Sequence, residues 1–271
     1  MDLEEINMPE KNLSLNAIVN LNKYPLDKSS FINQCKSSID AEGCIVLPDF
    51  LRKDSIKQLI KESRQNQYKA FYCEQKHSVY IAPSDESLPV DHPYNRQVIS
   101  SKGCITDDQL EDNSDLKNLY RSELFRDFIA EVVGEKYLYE YADNLSSINI
   151  HYAAESQELG WHFDNSSFAV TLLIQQSHKG GEFQYIRNFR DADNNEMNFD
   201  GVQQLLEGNL NYESLMMNPG TLVLFRGRNS IHRVTPVEGD LTRILAVLAY
   251  NSEPNVALSE TSRMTFYGRL D

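Results

Sequence analysis

The sequence predicts a mainly β fold with flanking helices, and three observations carry that prediction. Between Thr221 and Tyr250 the chain reads TLVLFRGRNSIHRVTPVEGDLTRILAVLAY, three short apolar runs separated by Gly, Asn and Pro clusters, which is the pattern of a strand meander. Similar runs recur from residue 136 onward, giving strands near 136–142, 147–153, 160–164, 168–175, 182–187, 221–226, 231–235 and 243–250. Their number matches the roughly eight strands of a two-sheet jelly roll. Ahead of them, apolar residues recur at helical rather than strand spacing.

Residues 1–26 are polar and lack a firm period, so they read as a loose leader or an arm laid over the domain, with residues 27–271 forming one domain. A first helix starts at Ser29 or Ser30 and buries a stripe of Phe31, Ile32, Cys35 and Ile39. Gly43-Cys44-Ile45-Val46-Leu47-Pro48 reads as a short buried strand, and Arg52 to Asn66 as a second helix turning Ile56, Leu59 and Ile60 inward. The stretch from 74 to 114 is rich in Pro, Ser, Asp and His without periodicity, and is expected to be a long loop folded over the barrel mouth. Arg96 and His92 are its candidates for substrate contact, an exposed polar role being the alternative for each.

A helix returns from Asp115 to Gly134, where Leu116, Leu119, Tyr120, Leu124, Phe125, Phe128 and Ile129 form an apolar face for the larger sheet and Gly134 ends it. Among the strands, Gly180-Gly181 supplies the positive φ angles of a tight hairpin. Asn188 to Asn218, with its charged RDADNNEMNFD run and a helical patch at Val202 to Glu207, interrupts the barrel near its open end, as a substrate-selecting lid or a solvated loop.

A chain of 271 residues with 41% hydrophobic content suffices for one β-sandwich core with helical additions and is short for two domains. Its 26 basic and 40 acidic residues leave a formal net charge of −14, which opposes a phosphate backbone and argues against a nucleic-acid partner. Small cationic or zwitterionic substrates fit that balance better, although an acidic surplus equally serves a soluble surface. Cys35, Cys44, Cys73 and Cys104 are widely and unequally spaced with no Cys-x-x-Cys pair, as expected of reduced thiols. The N-terminus MDLEEINMPEKN has no apolar core of a signal peptide, and no stretch reaches the about eighteen apolar residues of a membrane span, so a cytoplasmic protein is expected. No internal repeat is visible, which removes solenoids and propellers, and none of these features sets an oligomeric state.

Two fragments carry the chemistry: Trp161-His162-Phe163-Asp164 and Ser230-Ile231-His232-Arg233-Val234, with Arg243 following the second. On a strand, His162 and Asp164 would share a face with Phe163 turned away, so one metal could take both. His232 must return by folding. Two imidazoles and one carboxylate on one face of an iron leave three positions open, which is what non-haem Fe(II) oxygenases need to hold a co-substrate and O2 together. Taken singly, these histidines are equally well ordinary polar residues of a β-rich core.

With this motif and its flanks, the chain resembles the Fe(II)/2-oxoglutarate-dependent dioxygenases of the double-stranded β-helix (jelly-roll) fold. More narrowly, it is similar to the free amino acid radical halogenases and their hydroxylating relatives. The likeness is carried by Leu159-Gly160-Trp161-His162-Phe163-Asp164-Asn165, Gly180-Gly181-Glu182-Phe183, Pro219-Gly220-Thr221-Leu222, Phe225-Arg226-Gly227-Arg228, His232-Arg233-Val234-Thr235-Pro236-Val237 and Phe266-Tyr267-Gly268-Arg269. The resemblance implies that His162, Asp164 and His232 bind iron and that Arg243 clamps the distal carboxylate of 2-oxoglutarate, with O2 as the other co-substrate. A guanidinium suits that role because its planar fork donates two parallel hydrogen bonds and stays charged. The alternative for Arg243 is a surface arginine paired with Asp240 or Glu238.

In the halogenases of this group glycine replaces the carboxylate ligand and opens a site for chloride, so Asp164 implies hydroxylation. The resemblance also places an acidic residue beside that position in lysine-acting members, where this chain has Asn165. Asn165, Arg96, Phe266 and Tyr267 are the candidate substrate contacts. His77 and His178 are expected at the surface, His151 either in the pocket or in the core, and Trp161 against the outside of the sheet. The expected reaction is hydroxylation of an unactivated C–H of a small molecule, a free amino acid or related amine. The alternatives are a peptide or protein side-chain hydroxylase and a non-catalytic jelly-roll binding module.

Overall fold

The structure is a computed structural model and describes residues 15–215 and 217–271. In chain order its first elements are α1 (Ser29–Glu42), β1 (Cys44–Leu47), α2 (Lys53–Asn66), β2 (Phe71–Ser78), β3 (Gln97–Thr106), α3 (Asp115–Tyr120) and α4 (Glu123–Val133). There follow β4 (Ile148–Ala153), β5 (Leu159–His162), β6 (Ala169–Gln175), β7 (Lys179–Gly180), β8 (Phe183–Ile186), α5 (Phe199–Leu206) and β9 (Glu213–Leu215). The last are β10 (Leu222–Phe225), β11 (Ile231–Val234), β12 (Val237–Glu238), β13 (Arg243–Leu248) and α6 (Glu260–Tyr267).

Eleven strands form one curled antiparallel sheet in the order β1-β10-β6-β13-β4-β3-β5-β11-β8-β9, with β2 paired to β3. The long strand β3 joins the two halves: Gly103 to Thr106 pair with β4, whereas Ser100 pairs with Leu159 of β5. The result is the expected mainly β jelly roll, with α1 to α4 packed on one large core and α5 and α6 in separate clusters.

The two faces of β13 show why the run ILAVLAY is apolar throughout. Ile244, Ala246 and Leu248 join the large core beneath the helices, with Ile39 of α1, Leu59 of α2, Leu116 and Leu119 of α3 and Phe125, Phe128 and Ile129 of α4. Leu245 turns the other way, into the barrel, with Leu173, Val223 and Phe225. A strand buried on both faces loses the polar alternation of a half-exposed one. Gly43 and Gly134 close α1 and α4 in the left-handed conformation, at φ 69° and 85°, with their N–H groups bonded to Ile39 O and Ala130 O. That conformation carries no Cβ penalty at glycine.

Several expectations are corrected. Residues 74–114 are not one long loop, since β2 and β3 occupy most of their two ends and pair residue for residue from Phe71–Cys104 to Ser78–Gln97. The run 136–142 forms no strand, only an isolated bridge between Tyr139 and Asn251. The predicted helix 115–134 is two helices, because Ser122 takes an extended backbone and its hydroxyl accepts the Phe125 N–H to cap α4. Of the N-terminal arm, residues 1–14 lie outside the described residues, while Leu15, Ile18, Val19 and Leu26 are integral to the main core.

Candidate active site

His162 ends β5 and lies directly opposite His232 of β11 in the antiparallel register, with ring centroids 4.2 Å apart. Just past the strand end, the Phe163 N–H donates to Val79 O at 2.9 Å and the Asp164 N–H to Gly227 O at 3.1 Å. These bonds keep the backbone extended, so Phe163 buries itself among Val79, Tyr80 and Trp161 while its two neighbours face His232. Asp164 Oδ1 is 3.7 Å from His162 Nε2 and 3.5 Å from His232 Nε2, and one ligand atom from each of the three falls within 4.8 Å of the others.

The tautomers follow from the backbone. His162 Nδ1 lies 2.8 Å from Gly160 O and His232 Nδ1 lies 3.0 Å from Ser230 O. A carbonyl only accepts, so each Nδ1 carries the hydrogen and each Nε2 presents its lone pair to the common point. Burial pushes His162 down to about 3, with the neighbouring His232 ring adding to the effect, so this imidazole stays neutral and able to ligate. Burial raises the Asp164 carboxyl, but His232, His162 and Lys102 outweigh it and hold the group below its ordinary range.

Two glycines clear space for these groups. A Cβ on Gly227 would overlap the Asp164 carboxylate, and one on Gly181 would stand 2.7 Å from Arg243 Cδ. Arg243 opens β13 opposite Ala153 of β4 and is only 6% exposed. No carboxylate or hydrogen-bond acceptor among the described residues meets its guanidinium. Burial alone lowers it to about 10, so it remains charged at neutral pH. Pairing with Asp240 or Glu238 does not occur; Asp240 instead faces the exposed His178 at 3.3 Å. Arg243 and the triad line one cavity of about 260 Å³, with Leu159, Phe183, Phe225, Val234 and Leu245 among its apolar walls.

A second cavity of about 220 Å³ adjoins His162 and Asp164 from the side of β2 and β3. Its walls are Cys73, Gln75 and His77 of β2, Ser100 and Lys102 of β3, with Ile81, Leu159 and Phe266. Residues two apart on a strand share a face, so this wall is the inner face of the β2–β3 hairpin. His77 is therefore not a surface residue: its Nε2 is 2.7 Å from Ser100 Oγ and its ring lies edge-on to His162 at 6.1 Å. Lys102 and His151 went unrecognised as a pair. Lys102 Nζ is 3.1 Å from His151 Nε2 and 3.3 Å from Nδ1, and burial, reinforced by Lys102 and Arg243, holds His151 well below the ordinary histidine range. Its only sequence signal was the alternation Ile148, Ile150 against Asn149, His151.

Of the expected substrate contacts, Phe266 lies in this second cavity. Tyr267 is one step behind, buried with its hydroxyl donating to Asn149 Oδ1 at 2.8 Å, and lines a third cavity of about 200 Å³. Asn165 is exposed and Arg96 follows the Asp85–Asn95 turn, and neither lines these cavities. His92 packs on Phe199 at 5.0 Å, outside the site. Trp161 packs outside the cavity as expected, under Arg233 at 4.7 Å and against Tyr212.

The fold recurs in solved structures. An oxidoreductase of the 2OG-Fe(II) oxygenase family from Burkholderia pseudomallei superposes with a TM-score of 0.52 at 13% identity, covering 85% of this chain and 94% of that one. The non-haem α-ketoglutarate-dependent epimerase SnoN from nogalamycin biosynthesis gives 0.57 at 9% identity, covering 82% and 84%. A Trichoplax adhaerens prolyl hydroxylase, solved with a hypoxia inducible factor peptide fragment, gives 0.53 at 11% identity, covering 91% and 94%. No curated protein matches the sequence. The sequence model of one family, Halogenase D, matches residues 27–267, nearly the whole chain. The chain belongs to the Halogenase D family and builds, on the fold of the 2-oxoglutarate- and Fe(II)-dependent oxygenases, a converging pair of histidines and a carboxylate beside a buried arginine.

Proposed function

We propose that this Fe(II)- and 2-oxoglutarate-dependent oxygenase hydroxylates an unactivated C–H bond of a small molecule, a free amino acid or related amine. His162, Asp164 and His232 hold the iron and Arg243 takes the distal carboxylate of 2-oxoglutarate. The observation that carries this reading is the Asp164 carboxylate, set 3.5 and 3.7 Å from the two Nε2 atoms. It occupies the place that the resemblance leaves to chloride in halogenating relatives.

The donor set fits the metal: two imidazoles turned by backbone carbonyls so that each Nε2 faces the common point, and one carboxylate. The guanidinium fits the co-substrate, being buried, charged and without a partner among the described residues. Iron and 2-oxoglutarate, when bound, supply the oxidant that removes hydrogen from unactivated carbon. The chain supplies position and dryness. Arg243 fixes one end of the co-substrate, Leu159, Phe183, Phe225, Val234 and Leu245 exclude water from its path, and the β2–β3 wall holds the substrate beside the triad. A walled space of about 220 Å³ suits a free amino acid better than a polypeptide. A binding module, for its part, has no use for three converging ligand atoms.

The test is a screen of free amino acids and amines for coupled succinate release under saturating chloride, with product masses measured. A product with one added oxygen atom is expected. A chlorinated product from the unmodified enzyme would show that Asp164 does not occupy the metal.

A further inference from the structure

Lys102 is a cation inside the site with no ion-pair partner among the described residues, Asp164 acting on it only from farther off. It stands on the inner face of β3, opposite Cys73 of β2, and lines both cavities that border the triad as well as the third beside Tyr267. Its ammonium contacts the His151 ring at 3.1 Å and lies 5.6 Å from the Phe266 ring centroid, and no carboxylate among the described residues comes within ion-pair distance. The contrast is Lys117, a buried lysine elsewhere in the fold, which pairs with Asp107 at 3.6 Å and Asp112 at 3.4 Å. Buried charges are ordinarily paired, so an unpaired one beside a binding cavity indicates that a ligand supplies the partner.

The charge balance of the cavity says what kind. Among the described residues lining the three cavities, Asp164 is the only acidic side chain, against the cations Arg243 and Lys102. With a dication and a dianionic co-substrate in place, one positive charge remains. Arg243 lies on the far cavity only, whereas Lys102 also reaches the β2–β3 cavity that borders His162 and Asp164. We propose that Lys102, steadied by His151, binds a carboxylate of the substrate that is oxidised, making the substrate a small carboxylic acid, amino acids included. A simple amine would meet Lys102 with no charged acceptor among the described lining residues besides Asp164, which the metal takes. Burial pushes the Lys102 ammonium down from its ordinary range, and a bound carboxylate would restore it.

The inference rests on the hydroxylase reading above, and the two fail differently. Anaerobic calorimetry on enzyme loaded with Fe(II) and 2-oxoglutarate would use the proteinogenic amino acids, each beside its carboxamide, as probes. At least one acid is expected to bind where its amide does not. Lys102→Met should weaken that acid by about thirtyfold or more, with Lys102→Arg recovering part of the loss. Iron content and 2-oxoglutarate binding of both variants should match wild type, which also controls for folding. A rise in the 2-oxoglutarate requirement of Lys102→Met, with the acid unaffected, would assign Lys102 to the co-substrate and overturn the proposal. So would amides binding as well as acids, or no acid binding at all. Failure of the wild-type protein to retain iron or release succinate would instead remove the hydroxylase reading itself.

Discussion

His162 and His232 are prepared for a metal by atoms that carry no side-chain identity: the Gly160 and Ser230 carbonyls that take their Nδ1 hydrogens. With one imidazole gone, the remaining two ligands cannot fix a facial geometry. His162→Ala and His232→Ala should therefore each abolish iron retention and 2-oxoglutarate turnover while the circular dichroism stays that of the native fold. Full iron occupancy in either variant would sink the ligand assignment. Arg243 makes a separate prediction. Losing a buried charge-assisted pair typically costs about 2 to 5 kcal/mol, so Arg243→Leu should raise the 2-oxoglutarate requirement steeply, measured by titration with iron saturating. An unchanged requirement would move the clamp to Lys102, the other cation lining that cavity, because Arg233 packs on Trp161 and Tyr212 outside it.

At the scale of elements, the hairpin of β2 and β3 marks where periodicity fails as a guide. Its inner face carries Cys73, Gln75, His77, Ser100 and Lys102 because it borders a polar cavity, so neither face is apolar and no alternation survives in the sequence. The opposite error occurs at 136–142, where tyrosines favourable to strands find only one bridge partner, Asn251. In the 115–134 stretch the apolar face runs on across a break that a capping serine, Ser122, imposes. The turn after β10 has its own role, since Gly227 both accepts the Asp164 N–H and leaves room for its carboxylate. Gly227→Ala should displace the carboxylate and lower iron affinity by about 10- to 100-fold with every ligand still present, as loss of supporting groups around a metal usually does. Wild-type affinity, measured by chelator competition, would mean that the carboxylate tolerates the added methyl.

Across the whole molecule, an acidic chain encloses a cationic cavity. The net charge of −14 belongs to the surface, whereas Lys102 and Arg243 place positive charge at the site. The net charge suggested a cationic or zwitterionic substrate, and the cavity lining, with Lys102 and Arg243 against Asp164, is itself cationic. Burying neutral histidines also makes stability depend on pH with a definite sign. His162 and His151 titrate below their unfolded value of about 6.5, so their contribution is complete above that pH. As pH falls below it, the unfolded chain takes up protons that the native one refuses, and the contribution drains away until His162 itself protonates near 3. Urea unfolding of the metal-free protein should show stability falling as pH drops below 6.5, the slope for a histidine held neutral approaching about 1.4 kcal/mol per pH unit well below that value. His151→Phe should flatten the slope, and a pH-independent midpoint in wild type would contradict neutral burial.

The sequence by itself determined the mainly β class, the helical layer, the strands β4, β5, β6, β8, β10, β11 and β13 near their observed positions, and the residues that converge as His162, Asp164, His232 and Arg243. These were legible because their signals are local: apolar runs punctuated by turn residues, a two-residue spacing on a strand, and a charge opening a buried run. Only the tertiary structure decided that His77, Lys102 and His151 join the site and that Arg96 and Asn165 do not. Their roles depend on which strand lies beside which, through the pairing of β3 with β2, β4 and β5. A polar residue facing a polar cavity looks the same, in sequence, as one facing water.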